Sequence, residues 1–398
     1  MDLKIFPAKL KGTLTAIPSK SQAHRLLICA AFSNADTILH CPATNQDIEA
    51  TANCLRALGA VIEYADGSYA VTPVKHIPSK AVLRCGESGS TLRFMLPVVG
   101  ALGVDATFIM HGRLPQRPLS PMWEEMERNG CTLNRPTNDT IACHGKLNPG
   151  NYTIDGSVSS QFITGLLFAM ALLPGSSTLT ITGKIESRPY IEMTLQALKT
   201  FGINAENYQV SGSYPFVSPE VLTVEGDWSN GAFFLTAKAL GSDIRLLGLS
   251  EDSAQGDRAV AQILEQLERH VVVDAADIPD LVPILAVAGS AKNGISFTNV
   301  GRLRLKESDR VETVAAMLRN LGAEVRTEQD SLTVFPAKYR SCTIDAAGDH
   351  RIAMAAAIAA TAADGPVTVR GAQCVAKSYP AFWDDYARLG GKYEQYIR

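Results

Sequence analysis

Residues 311–335, VETVAAMLRNLGAEVRTEQDSLTVF, carry two periodicities in one stretch. Val311, Val314, Leu318 and Leu321 fall three or four apart, the spacing of one helical face. Gly322 sits where a helix C-terminus takes a left-handed residue, which suits glycine. Beyond it, AEVRT (323–327) and SLTVF (331–335) flank a polar turn with branched or alternating residues. That predicts strand–turn–strand.

Working outward, the helix–Gly–strand element recurs in NCLRALGAVIEY, MERNGCTLNR, LQALKTFGINAE and YARLGGKYE, and QLERHVVVDA is a copy without the glycine. The markers Gly59, Gly130, Gly202, His270, Gly322 and Gly390 are spaced 71, 72, 68, 52 and 68 residues apart. A second element, an apolar helix introduced by a short polar cluster, recurs out of phase. Its markers Lys20, Ser88, Ser160, Ser229, Asp280 and His350 are spaced 68, 72, 69, 51 and 70 apart. Both series shorten at the same copy, so one repeating unit underlies both.

The expected fold class is α/β, with two domains built from six repeated βαβαββ-like units. Each domain holds three units around buried parallel helices, because a helix apolar on every side belongs inside a core. The expected domains are 19–226, and 1–18 with 227–398, the latter completed by the first strand in MDLKIFPAK. Equivalent units point their buried helices the same way, so the six polar clusters should gather across an interdomain cleft.

Composition agrees with a large core: the chain has 398 residues, 46% of them hydrophobic and 19% charged. Lys and Arg number 37 against 40 Asp and Glu, a net charge of −3 that disfavours a nucleic-acid surface. Apolar runs such as Gly165 to Leu173 stop short of the ~20 residues a membrane helix needs. The opening MDLKIFPAKLKG has no signal-peptide apolar region, so a cytoplasmic location is expected. None of the eight cysteines is spaced CxxC, so reduced thiols are expected, with no disulfide scaffold and no structural metal.

Helix starts expose unpaired N–H groups and attract anions. Taken singly, Ser19-Lys20-Ser21 or Ser159-Ser160-Gln161 is a helix cap, and KESDR (306–310) is a solvated charge run. Capping does not account for Lys20, or for Arg351 beside Asp349 and His350, because the helix dipole disfavours cations there. Cations at helix starts make sense if an anion lies between them. Arg25 and Arg93 lie one turn into their helices, and GRLPQRPLSP adds Arg113 and Arg117. No GxxxxGK[ST] and no strand-following GxGxxG is present, so nucleotide chemistry has no local support.

In order along the chain stand Ser19-Lys20-Ser21 with Arg25, GESGSTLR (86–93), Gln116-Arg117-Pro118, DGSVSSQ (155–161) and Ser187-Arg188-Pro189-Tyr190. Then come Glu225-Gly226-Asp227, Ile278-Pro279-Asp280, KESDR, Asp349-His350-Arg351 and Lys377. This series resembles the enolpyruvyl transferase family, and within it the 5-enolpyruvylshikimate-3-phosphate synthases, over nearly the whole chain. The resemblance implies two domains of three repeats. It also implies transfer of the enolpyruvyl group of phosphoenolpyruvate to the 5-hydroxyl of shikimate 3-phosphate, with release of phosphate.

By matched motif, shikimate 3-phosphate would meet Ser21 and Arg25 on its carboxylate side and Ser159, Ser160, Ser187 and Lys306 on its phosphate side. Gln161 and Tyr190 would line its ring, and Lys20 and Asp280 would also reach it. Phosphoenolpyruvate would meet Lys20, Gly89, Arg117, Gln161, Arg310, Arg351 and Lys377. Glu307 would protonate the methylene carbon and Asp280 would accept the hydroxyl proton, with Lys20 and His350 as further participants. No cofactor is implied, and a monomer is the family expectation.

Three positions depart from the family pattern: Glu87 and Arg302 stand where many members carry Asn, and Phe94 where some carry Pro. The sister activity, transfer to UDP-N-acetylglucosamine, goes with Lys-Asn at the first helix start and a loop cysteine. Here the pair is Lys20-Ser21, and Gly103 to Gly130 holds no cysteine.

Overall fold

The computed structural model describes residues 1–212 and 215–395. The chain forms two compact units, Pro18–Val224, and Met1–Ile17 together with Glu225–Arg398. It is a mixed α/β protein with six small sheets, three in each unit. Pro18–Val224 holds helices α1 (Lys20–Ala31), α2 (Gln46–Ala57), α3 (Gly89–Leu102), α4 (Met122–Arg128), α5 (Ser160–Leu172) and α6 (Arg188–Thr200). The other unit holds α7 (Trp228–Ala239), α8 (Ala259–Gln266), α9 (Val282–Ser290), α10 (Arg310–Leu321), α11 (His350–Ala360) and α12 (Phe382–Arg388).

Odd- and even-numbered helices differ in composition, and burial follows the difference. Every residue of α9 and α11 is buried, and in α5 only Gln161 is not. Beyond their first turns these helices present only apolar or small side chains, so they can fill a core on all sides. In α10 the buried set is one face, with Val311, Val314, Leu318 and Leu321 inward and Glu312 outward. Gly322 caps it with φ 106°, and Gly59, Gly130, Gly202 and Gly390 also have positive φ. Val325–Thr327 and Ser331–Val334 then pair antiparallel, as the alternation predicts.

Four sheets share one order: a parallel pair, then two antiparallel neighbours. In one, Val271–Asp274 runs parallel to Ile295–Thr298, followed by Ser331–Val334 and Val325–Thr327. In another, Cys342–Asp345 and Val367–Arg370 are parallel, and the next strand is Leu3–Phe6, from the opposite end of the chain. Leu3–Phe6 also pairs antiparallel with Lys392–Gln395. The N-terminal strand thus occupies the place that the second hairpin strand takes elsewhere. The short copy has a structural cause too: α8 leads directly into Val271–Asp274, with no hairpin between them.

Close helix packing also fixes where polar residues stand. A Cβ on Gly165 of α5 would lie 2.2 Å from the carbonyl oxygen of Arg93 in α3. Gly165→Ala must therefore push α3 and α5 apart, and overpacking of this kind costs about 1–3 kcal/mol. Urea denaturation should show a lower midpoint for Gly165→Ala with an unchanged slope.

Candidate active site

Five of the six odd-numbered helices open on a side-chain cap. Ser19 accepts from the Gln22 N–H, Ser88 from Thr91, Ser159 from Gln161, Asp227 from Asn230 and Asp349 from Arg351. Helix α9 is the exception: its N-cap is Leu281, it makes no side-chain cap bond, and a proline stands in its first turn. Asp280, just ahead of it, therefore has its carboxylate available for ion pairing.

Within Pro18–Val224 the candidate residues form small polar groups around the starts of α1, α3, α5 and α6. Lys20 pairs with Asp47 of α2 at 2.8 Å. Arg93 donates to Gln161 Oε1 (2.7 Å) and to the Pro118 carbonyl, and Gln161 Nε2 donates to Ser90 Oγ (3.0 Å). These bonds tie α3 to α5. The Arg117 guanidinium lies against Gly89, where a Cβ would come within 2.6 Å of Nη1. A side chain at this position would displace the guanidinium from the head of α3. Arg25 is turned inward, donating to the Ser21 carbonyl (2.6 Å), the Tyr190 carbonyl (2.7 Å) and Thr194 Oγ1 (2.9 Å). Burial lowers it to about 10. Ser159 caps α5 and buried Ser160 opens it, while Ser187, at φ 54°, precedes α6.

The other unit gathers its candidates into one charged cluster. Arg310, only 1% exposed, reaches three carboxylates: Asp280 at 2.7 Å, Glu307 at 2.8 Å and Asp349 at 2.8 Å. Arg351 pairs with the second oxygen of Asp280 at 2.9 Å, and Lys306 lies 3.9 Å from the first. Lys377 stands 3.8 Å from Glu307. His350 is buried, its Nδ1 3.9 Å from Asp349. Arg302 donates to the Ala276 carbonyl.

Opposing forces set the charge states here. Burial works against ionised Asp280, but Arg351, Lys306 and Arg310 outweigh it and hold the carboxyl well below the usual carboxylate range. For Lys306, burial wins and lowers the ammonium to about 8. Burial also works against Arg310, yet Asp349, Glu307 and Asp280 keep it above its ordinary value. Asp257 goes the other way: burial, then the charge of Asp280, push it up to about 7.

Sequence reasoning missed Asp257 and Asp47, and it singled out Asp349 only as part of a helix start. Asp257 lies in a QGDR turn that carries no repeat marker, and Asp47 reads as an ordinary first-turn acid of α2. Among the described residues, no group of three or more His, Cys, Asp or Glu could hold a metal ion. No helix there is long and apolar enough to cross a membrane.

The family model for EPSP synthase (3-phosphoshikimate 1-carboxyvinyltransferase) matches residues 6–277 and 269–386. The chain belongs to this family. It is 36% identical to the 3-phosphoshikimate 1-carboxyvinyltransferase of Clostridium kluyveri, covering 99% of this chain and 98% of that one. Its identity to the enzyme of the same name from Clostridioides difficile is 35%, covering 99% and 98%. The fold matches the EPSP synthase structure from Acinetobacter baumannii with a TM-score of 0.80 at 22% identity, covering 99% of this chain and all of that one. It also matches the enolpyruvyl transferase NikO from Streptomyces tendae, with a TM-score of 0.76 at 19% identity, covering 99% and 98%.

The ion pairs of Arg310 make a stability prediction for this family member. Removing the cation leaves buried like charges uncompensated, and breaking a buried pair this way costs about 3–5 kcal/mol. Asp280 is depressed in the folded state, so its contribution is present above the unfolded aspartate value of about 4. That contribution is lost as pH falls through the folded value. Arg310→Met should therefore show its full deficit in chemical denaturation at neutral pH, and the deficit should narrow below about pH 4.

Proposed function

We propose that this chain transfers the enolpyruvyl (1-carboxyvinyl) group of phosphoenolpyruvate to the 5-hydroxyl of shikimate 3-phosphate, releasing inorganic phosphate. This is a step of the shikimate pathway of aromatic amino-acid biosynthesis. Beyond family membership, the observation that carries the reading is the crowding of Arg310, Arg351 and Lys306 on the single carboxylate of Asp280. Each substrate bears a carboxylate and a phosphate, so the reaction needs several convergent cations. Carboxylates of the chain pair with these cations.

Lys20, Gly89, Arg117, Arg310, Arg351 and Lys377 hold phosphoenolpyruvate in this reading. Ser21 and Arg25 take the carboxylate of shikimate 3-phosphate, while Ser159, Ser160, Ser187 and Lys306 take its phosphate. Gln161 and Tyr190 lie along its ring. Substrate oxyanions partly neutralise the cations around Asp280, and its proton affinity rises. Asp280 then accepts the 5-hydroxyl proton as the oxygen bonds to C2 of phosphoenolpyruvate. Glu307 delivers a proton to the methylene carbon, giving a tetrahedral adduct. Glu307 then takes back a methyl proton as the C2–O bond to phosphate breaks and the double bond is restored, and Asp280 gives its proton to the departing phosphate. Lys20 and His350 assist these proton transfers.

Six copies of a βαβαββ-like unit, three per compact unit with parallel buried helices, account for the sheet order and the alternation of helix types. The recurring caps support this repeat. The enzyme acts as a cytoplasmic monomer.

Phosphate release from phosphoenolpyruvate should require shikimate 3-phosphate and should not occur with UDP-N-acetylglucosamine. The reverse preference would overturn the assignment. Lys20→Met and Glu307→Ala should abolish release while the circular dichroism spectrum is retained. Because Lys306 is lowered to about 8, kcat/KM for shikimate 3-phosphate should fall as pH rises above that value. Lys306→Arg keeps its charge at all accessible pH, so that alkaline limb should move upward.

A further inference from the structure

Helix α2 brings no residue to either substrate in the reading above, yet it carries the acid that faces Lys20. Asp47 Oδ2 lies 2.8 Å from the Lys20 ammonium, and the two side chains are only 8% and 17% exposed. An acid in the first turn of a helix serves the helix dipole without leaving water. Glu49, in the same turn, is 33% exposed and pairs with Arg56 at the other end of α2. A buried ion pair brings little net stability over an apolar pair of the same volume, so the dipole and the fold together do not account for Asp47.

Asp47 is itself firmly held. Asn45 caps α2, accepting from the Ile48 N–H at 3.0 Å. Thr91, in the first turn of α3, donates to the Asp47 carbonyl (3.4 Å) and to Ser88 Oγ (2.8 Å). One turn further along α2, Thr51 Oγ1 lies 2.7 Å from Thr91 Oγ1. It lies 2.7 Å also from Nδ1 of His24, which is one turn along α1 from Lys20. His24, Asp47, Thr51, Ser88 and Thr91 are all buried. These bonds tie α2 to the heads of both α1 and α3, where Lys20 and Gly89 stand.

A lysine ammonium rides on a flexible four-carbon stem, and at the first position of α1 the helix dipole opposes it. A carboxylate fixed on the neighbouring helix supplies the direction that the stem lacks. We infer that Asp47 is a positioning residue for the proposed transfer, aiming the Lys20 ammonium at phosphoenolpyruvate. This rests on Lys20 being a ligand of phosphoenolpyruvate, as read above. Asp47 exchanges no proton with either substrate and acts through Lys20.

Acting through Lys20 gives Asp47 different effects with and without the lysine. Affinity can be measured without turnover, by calorimetric titration of phosphoenolpyruvate in saturating 5-deoxyshikimate 3-phosphate, which lacks the attacking hydroxyl. Asp47→Asn keeps the size and an acceptor but not the charge. It should bind phosphoenolpyruvate roughly ten- to a hundredfold more weakly, with its affinity for shikimate 3-phosphate unchanged. In a Lys20→Met background the carboxylate has lost its cation and repels the incoming anion. Adding Asp47→Asn there should leave the affinity for phosphoenolpyruvate unchanged or raise it.

A further loss in that background, or an equal loss for both substrates in Asp47→Asn, marks a structural role and overturns the inference. The double variant replaces the ion pair by two uncharged groups, so its comparison with Lys20→Met decides the matter even if Asp47→Asn alone does not fold. A loss in Lys20→Met with none in Asp47→Asn overturns the inference and leaves the reading of Lys20 intact. If Lys20→Met binds phosphoenolpyruvate as wild type does, the reading of Lys20 fails and the inference falls with it.

Discussion

A guanidinium taken out of water must be met by negative charge, and Arg310 is met three times over, by Asp280, Glu307 and Asp349. Two of the three belong to chain segments remote from α10: Asp280 precedes α9, and Asp349 caps α11. One buried cation thus holds the beginnings of three helices to a common point. Asp280 is thereby fixed between Arg310 and Arg351 with its charge retained. Glu307 is fixed between Arg310 and Lys377.

The same physics explains why cations stand at helix starts where the dipole opposes them. In α11 the Arg351 backbone N–H is capped by Asp349, while its side chain turns to Asp280. In α1 the Lys20 ammonium pairs with Asp47 rather than pointing at a bare helix end. Each of these cations is thus met by a carboxylate from another element. Arg25 differs: its bonds go to the Ser21 and Tyr190 carbonyls and to Thr194, so its main visible work is to hold backbone around the head of α6.

Local chemistry made much of this visible in advance. The glycines closing the amphipathic helices, the serines and aspartates capping the apolar ones, and the hairpin after Gly322 depend on residues a few positions apart. Sequence spacing reports such contacts directly. Asp257 stayed hidden because its turn has no periodic signal and its partner Ser229 lies 28 residues away. Asp47 stayed hidden because an acid in the first turn of a helix needs no further explanation until its lysine partner, 27 residues away, is seen.

Amino-acid order alone determined the alternation of all-apolar and one-faced helices, their ends, and the family to which the motifs belong, since these follow from periodicity and residue type. Tertiary structure decided the rest. It put the strand Leu3–Phe6 between two C-terminal strands. It started α9 at Leu281 with no side-chain cap, and it set Arg310 and Arg351, which lie 30 and 71 positions from Asp280 in sequence, on the same carboxylate. Charge pairing inside a core depends on distance in space and on the loss of water, and neither quantity is written in the spacing of residues along a chain.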